Sequence, residues 1–82
     1  MGVSTETIGK YYTQAFEIFD KHRQPPEIEV TFYPYVGINH TIRVRNGRVF
    51  VRIAEICRDL PASAQRALAM ILVAKLYRRR VP

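Results

Sequence analysis

Asn46-Gly47 stands between two runs in which apolar and polar residues alternate, Thr41 to Arg45 before it and Arg48 to Ile53 after it. An Asn-Gly pair tolerates the positive φ angles of a type I′ turn better than other pairs, and such a turn joins two antiparallel strands in one fixed register. In that register Arg45 sits opposite Arg48, Val44 opposite Val49, Arg43 opposite Phe50, Ile42 opposite Val51 and Thr41 opposite Arg52. The residues of a hairpin spanning 40–53 therefore sort onto two faces. One carries Ile42, Val44, Val49, Val51 and Ile53; the other carries Thr41, Arg43, Arg45, Arg48, Phe50 and Arg52. The apolar face requires helices against it.

Two segments supply them. Ser4 or Thr5 is placed to cap a first helix, with Glu6 in the first turn where the helix dipole favours an anion. Ile8, Tyr12, Ala15, Phe16 and Phe19 recur at helical spacing as an apolar stripe, Glu17 and Lys21 form an i,i+4 pair, and Pro25-Pro26 stops the helix after His22 or Arg23. The second segment is 61–80. Pro61 suits a first helical turn, Ala67 to Ala74 contains no polar residue, and Arg78, Arg79 and Arg80 place cations at the negative end of the dipole. A helix apolar all round is normally buried on more than one side.

Between these helices, Ile28, Val30 and Phe32 alternate with Glu29, Thr31 and Tyr33 as a strand buried on one face, which Pro34 ends or marks as an edge. Tyr35 to Asn39 reads as a loop around Gly37, and Ala54 to Leu60 as a short helix with Ile56, Cys57 and Leu60 available for packing. The expected fold is α+β: an N-terminal helix, a small antiparallel sheet of about three strands including the 40–53 hairpin, a short helix and a long apolar C-terminal helix. With 82 residues the chain makes one domain, 1–82, removing only roughly 60% of the unfolded surface from water.

Catalytic and metal chemistry are hard to find. His22 and His40 have no ligand spacing between them, no His-Glu-x-x-His occurs, and the four glycines are scattered rather than gathered into a phosphate loop. The lone Cys57 has no partner for an intramolecular disulfide and no base beside it, which makes it a small buried hydrophobe. No basic segment joined to an apolar run opens the chain, and the apolar run of 67–74 is far below the ~20 residues that span a bilayer. These readings place the protein in the cytoplasm, with no membrane partner and no cofactor.

A net charge of +6 attracts anions without naming one. The surface that gives this charge a location is the outer face of the hairpin, where Arg43, Arg45, Arg48 and Arg52 surround Phe50. Guanidinium groups pair with phosphates and an aromatic on a sheet can stack on a base, so these five residues form a candidate site for nucleic acid or another anion. The competing reading is a solvated polar sheet face, on which Glu27 and Glu29 are solubilising.

Particular stretches carry a family resemblance. Pro26-Glu-Ile-Glu-Val-Thr-Phe-Tyr, then Gly37-Ile-Asn-His-Thr-Ile-Arg-Val-Arg-Asn-Gly, then Val51-Arg-Ile and Leu60-Pro leading into a long apolar helix resemble the N-terminal part of SprT-like zinc metallopeptidases and related minimal gluzincins. The resemblance covers almost the whole chain and implies a zincin-like fold. In that family the helix equivalent to 61–80 carries His-Glu-x-x-His, whose histidines bind zinc and whose Glu is the general base. The matching positions here are Ile71, Leu72 and Lys75, which neither bind zinc nor accept a proton, and the family's further ligand lies downstream of the matched region. The resemblance thus implies a non-catalytic domain with no catalytic, cofactor-binding or metal residues.

Residues 61–80 also carry an expectation about partners. A helix apolar on every side needs more cover than one amphipathic helix, a short helix and a three-stranded sheet supply. Self-association through Leu68, Ile71, Leu72 and Leu76, or a protein partner over the same helix, is expected to provide it. The reading is therefore an interaction or oligomerisation module. The alternatives are nucleic-acid binding through the arginine face, or an N-terminal part of a longer metallopeptidase-like protein whose remainder completes a site.

Overall fold

The Asn46-Gly47 turn forms with φ of 52° and 76° at its two residues, the doubly positive geometry of type I′. In this computed structural model the described residues are 3–35 and 40–80, side chains of 79 and 80 excepted, so all but Tyr35 of the loop expected from Tyr35 to Asn39 lies outside them. The turn joins β2 (Thr41–Arg45) to β3 (Arg48–Ala54) with every expected pair in place, from Arg45 opposite Arg48 to Thr41 opposite Arg52.

The remaining elements are α1 (Thr5–Phe19), β1 (Glu27–Tyr33), one 3-10 turn (Glu55–Cys57) and α2 (Ala62–Arg80). The fold is α+β, with helices against one face of a three-stranded sheet ordered β1-β3-β2. The sheet is mixed, which corrects the antiparallel expectation: β1 runs parallel to β3, with Glu27 beside Arg48, Val30 beside Val51 and Tyr33 beside Ala54. A parallel pair cannot be joined by a tight turn, and the stretch from Pro34 to Gly47, β2 included, is the crossover that joins this one. The turn at Asn46-Gly47 has already fixed β2 along one edge of β3. The other edge is taken by β1, which lays its alternate residues Ile28, Val30 and Phe32 in the same layer as Val49, Val51 and Ile53.

Ser4 caps α1, its Oγ accepting from the Thr7 N–H at 3.2 Å. Ile8, Tyr12, Ala15 and Phe16 are buried, whereas Phe19 is partly exposed and stacks on Tyr77 with ring centroids 5.5 Å apart. The helix ends at Phe19, earlier than His22 or Arg23: Asp20 leaves helical geometry at φ −142° while its N–H still reaches the Phe16 carbonyl at 2.8 Å. Lys21 consequently lies past the helix, and Asp20 approaches Arg23 at 3.8 Å instead. Phe19 against Tyr77, and Arg66 over the Tyr11 ring at 5.2 Å, show that α1 and α2 run in the same direction.

β3 continues to Ala54, so the expected short helix shrinks to the single 3-10 turn; Cys57 is buried there, but Ile56 points to solvent instead of packing. α2 contributes Gln65, Ala69, Leu72 and Val73 to the interior. Gln65 is a fully buried polar residue, its Nε2 donating to the Cys57 carbonyl at 2.9 Å, which ties the first turns of α2 to the end of the 3-10 turn.

Candidate functional site

Because side chains alternate along each strand, the solvent face of the sheet is laid out in rows running from edge to edge. The row nearest the turn reads Glu27, Arg48, Arg45; the next reads Glu29, Phe50, Arg43; the next reads Thr31, Arg52, Thr41. All five residues of the sequence-derived cluster, Arg43, Arg45, Arg48, Phe50 and Arg52, therefore stand on one face. The parallel pairing adds what the hairpin alone could not supply. It sets the Glu27 and Glu29 carboxylates, Thr31 and Tyr33 along the opposite edge.

Arg48 is engaged: its Nη2 lies 2.8 Å from Glu27 Oε2 and its Nε donates to the same oxygen at 3.1 Å. Both side chains are exposed, and exposed pairs of this kind contribute about 0–1 kcal/mol, so a phosphate can displace the carboxylate at little cost. Arg52 lies over the Tyr33 ring, 5.0 Å from its centre, and Tyr33 in turn meets Tyr35 with ring centroids 4.8 Å apart. Phe50 is half-buried at the centre of the face. It lines two open depressions, one of about 380 Å³ with Glu29, Thr41, Arg43, Val44, Arg45 and Arg52, the other of about 410 Å³ towards the turn. Tyr33 and Tyr35 were outside the sequence-derived site. The signal for Tyr33, an alternate aromatic on β1, acquires meaning only once β1 is known to border β3.

The other candidates separate. His22 is exposed beyond α1, while His40 is half-buried, its Nδ1 accepting the Ala54 N–H at 3.2 Å. Burial holds the His40 pKa below its usual 6.5. Among the described residues no group of three or more His, Cys, Asp and Glu is arranged to hold a metal ion.

Of the four residues expected at a self-association surface, Leu72 lies in the core and offers no outer surface; Leu68 and Leu76 are half-buried, and Ile71 is 63% exposed. Ile71 and Lys75, two of the positions matched to the peptidase motif, face solvent one turn apart, whereas Leu72 points inward. Ala67 shares their exposed stripe. Beside this stripe the helices cover β3 fully but β2 incompletely, leaving Val44 38% exposed although it belongs to the apolar layer. A depression of about 320 Å³ opens there, walled by Val44, Val49, Phe16, Leu76, Tyr77 and Pro26 among others, with Asp20 and Arg23 at its margin. No helix among the described residues is long and apolar enough to cross a membrane.

Compared with known proteins, the chain matches no family model, no characterised protein and no solved structure.

Proposed function

We propose that this chain is a non-catalytic domain of SprT-like architecture that acts in the cytoplasm as an interaction module, associating with a second copy of itself across the side where α2 and β2 meet. The observation that carries the proposal is the incomplete cover of β2. Val49, Val51 and Ile53 on β3 are at most 1% exposed, yet Val44, in the same apolar layer, is 38% exposed and Ile42 is half-buried. Leu76, which walls the same depression as Val44, extends this apolar surface onto α2, and Ile71 lies exposed on the same helix before Lys75. Apolar surface open at the end of a core favours association. The non-catalytic part rests on side-chain chemistry: if α2 is the helix that carries the metal motif in SprT-like peptidases, Ile71, Leu72 and Lys75 occupy its positions, and none ligates zinc or serves as a carboxylate base.

Lys75 lines a depression with Ile42 and Leu76 at the edge of this surface, so two copies meeting there bring like charges together. Association driven by apolar contact against charge repulsion strengthens as salt screens the repulsion. Sedimentation equilibrium at 0.1 and 0.5 M salt tests this: the expected result is a discrete dimer, tighter at the higher salt and weakened by Ile71→Glu. A monodisperse monomer at high micromolar concentration in both buffers ends the self-association reading, and stoichiometric zinc in the purified protein ends the non-catalytic one.

A further inference from the structure

We infer that the outer face of the sheet binds single-stranded nucleic acid, with the sugar-phosphate backbone along β2 and the bases over Phe50 towards β1. This face is opposite to the one that carries self-association, and the inference does not depend on that reading.

The polarity follows from the strand order. β2 presents Thr41, Arg43 and Arg45 outward, while β1 presents Glu27, Glu29, Thr31 and Tyr33, and β3 lies between them. The face thus changes from cationic to acidic across its width. Arg43 and Arg45 are alternate residues of one strand, about 7 Å apart along it, a separation that neighbouring phosphates of an extended strand can span. Guanidinium pairs with phosphate through paired N–H donors, and Arg48, held only by the exposed Glu27 carboxylate, stands directly across from Arg45 as a third donor.

A phosphate on β2 leaves its base pointing along the row Arg43, Phe50, Glu29. Phe50 offers a ring face in the middle of this row, and it lines the same depression as Arg43 and Glu29. Stacking on an aromatic requires an unpaired base, which selects single strands over duplexes. Glu29 repels phosphate and accepts hydrogen bonds, so its place beyond the ring suits the exocyclic amino group of cytosine or adenine and disfavours thymine and uracil, which lack one. Tyr33, beneath the Arg52 guanidinium, gives a second ring two rows further along. An acidic peptide fits less well, because the carboxylates of β1 would face its own.

The test is fluorescence anisotropy of the whole chain with labelled ten-nucleotide dC, dA and dT oligomers, their RNA counterparts and a duplex control, at 50 and 200 mM salt. Two phosphate contacts predict a log–log salt slope of about −1.4, hence roughly sevenfold weaker binding at the higher salt. Arg43→Gln with Arg45→Gln is expected to abolish that slope. Phe50→Leu is expected to weaken binding about tenfold with the slope unchanged, and Phe50→Tyr to restore it. Glu29→Val, which removes the acceptor oxygens, is expected to erase a preference for dC and dA over dT without weakening dT binding. DNA against RNA reads which sugar is favoured. Absence of binding at 100 μM protein overturns the inference. So does equal affinity for duplex and single strand or binding unchanged in Phe50→Leu, either of which would mean charge attraction without a stacking site, and so does binding unchanged in the arginine variant, which would place the binding elsewhere on the protein.

Discussion

Replacing Tyr12 by Phe is expected to stabilise the protein. The Tyr12 side chain is completely buried on the inner face of α1, and its hydroxyl has no hydrogen-bond partner among the described residues. Burial pushes its pKa well above the ordinary tyrosine value, as it does for a phenol whose charged form finds no support. A hydroxyl taken from water without a partner costs about 1–3 kcal/mol. Tyr12→Phe removes that cost and keeps the ring, leaving a void the size of one oxygen whose penalty is a few tenths of a kcal/mol. The net gain is about 1–2 kcal/mol, a large fraction for a small domain whose whole stability is of order 5–15 kcal/mol. At about 4–8 °C per kcal/mol for a chain of this size, the melting temperature rises by roughly 5–15 °C. Urea and thermal unfolding followed by circular dichroism measure both quantities, and an unchanged urea m value confirms that the unfolded state is the same. A hydroxyl that did have a native partner would lose about 0.5–1.5 kcal/mol on substitution. Destabilisation of that size by Tyr12→Phe therefore refutes the reasoning.

Gly9→Ala is expected to raise stability by about 0.5–1 kcal/mol, since the added Cβ sits in a helix interior and meets only Val30 Cγ2 at 4.0 Å, whereas Gly47→Ala, at φ 76°, is expected to lose about 1–2 kcal/mol; urea midpoints of the two variants check the opposite signs. Gln65→Leu is expected to lie within about 1 kcal/mol of the parent, because losing the bond to the Cys57 carbonyl is offset by removing the unpartnered Oε1, while Gln65→Ala adds a cavity and costs about 2–4 kcal/mol more in the same assay. The folded-state pKa of His40 lies below its unfolded value, so its contribution is complete above pH 6.5 and is lost as the pH falls from there through the folded value. Protonation also removes the Nδ1 acceptor of the Ala54 N–H, and stability measured from pH 7.5 to 5 is expected to fall more steeply in the parent than in His40→Gln; parallel curves would refute the role of His40.

What could be read from the residues was what neighbouring backbone atoms decide. Asn46-Gly47 fixes its own φ angles, and these fix five cross-strand pairs, so both faces of the hairpin and the grouping of Arg43, Arg45, Arg48, Phe50 and Arg52 followed without the fold. The neighbour of β1 did not follow. Alternation of Ile28, Val30 and Phe32 gives the strand a buried face but no direction relative to β3. The α1 boundary was missed because Pro25 and Pro26 limit how far a helix can run without saying where it stops; Asp20 ended it first. In α2 the apolar run itself erased the signal. With Ala67 to Ala74 apolar throughout, no periodicity distinguished Leu72, which is buried, from Ile71, which is exposed. Gln65, a polar residue, is buried because its amide is recruited inward by a carbonyl of the preceding 3-10 turn.

The strand order matters for the arginine face more than its composition does. Had β1 paired with β2, Glu27 and Glu29 would have flanked Arg43 and Arg45, and the face would have carried neutral pairs. In the order β1-β3-β2 the acidic strand lies two strand spacings, about 10 Å, from Arg43 and Arg45, at or beyond the distance over which physiological salt screens exposed charges. The Glu27 carboxylate compensates Arg48, and the β2 arginines keep their field towards solvent. The same order leaves β2 at an edge with its apolar side half-covered, so one topological choice produces both surfaces. The two proposals predict opposite responses to salt, since apolar contact between like-charged copies tightens as repulsion is screened, whereas phosphate binding weakens as counterions compete. A single salt titration, read once by sedimentation and once by oligonucleotide anisotropy, therefore separates the two surfaces without any substitution.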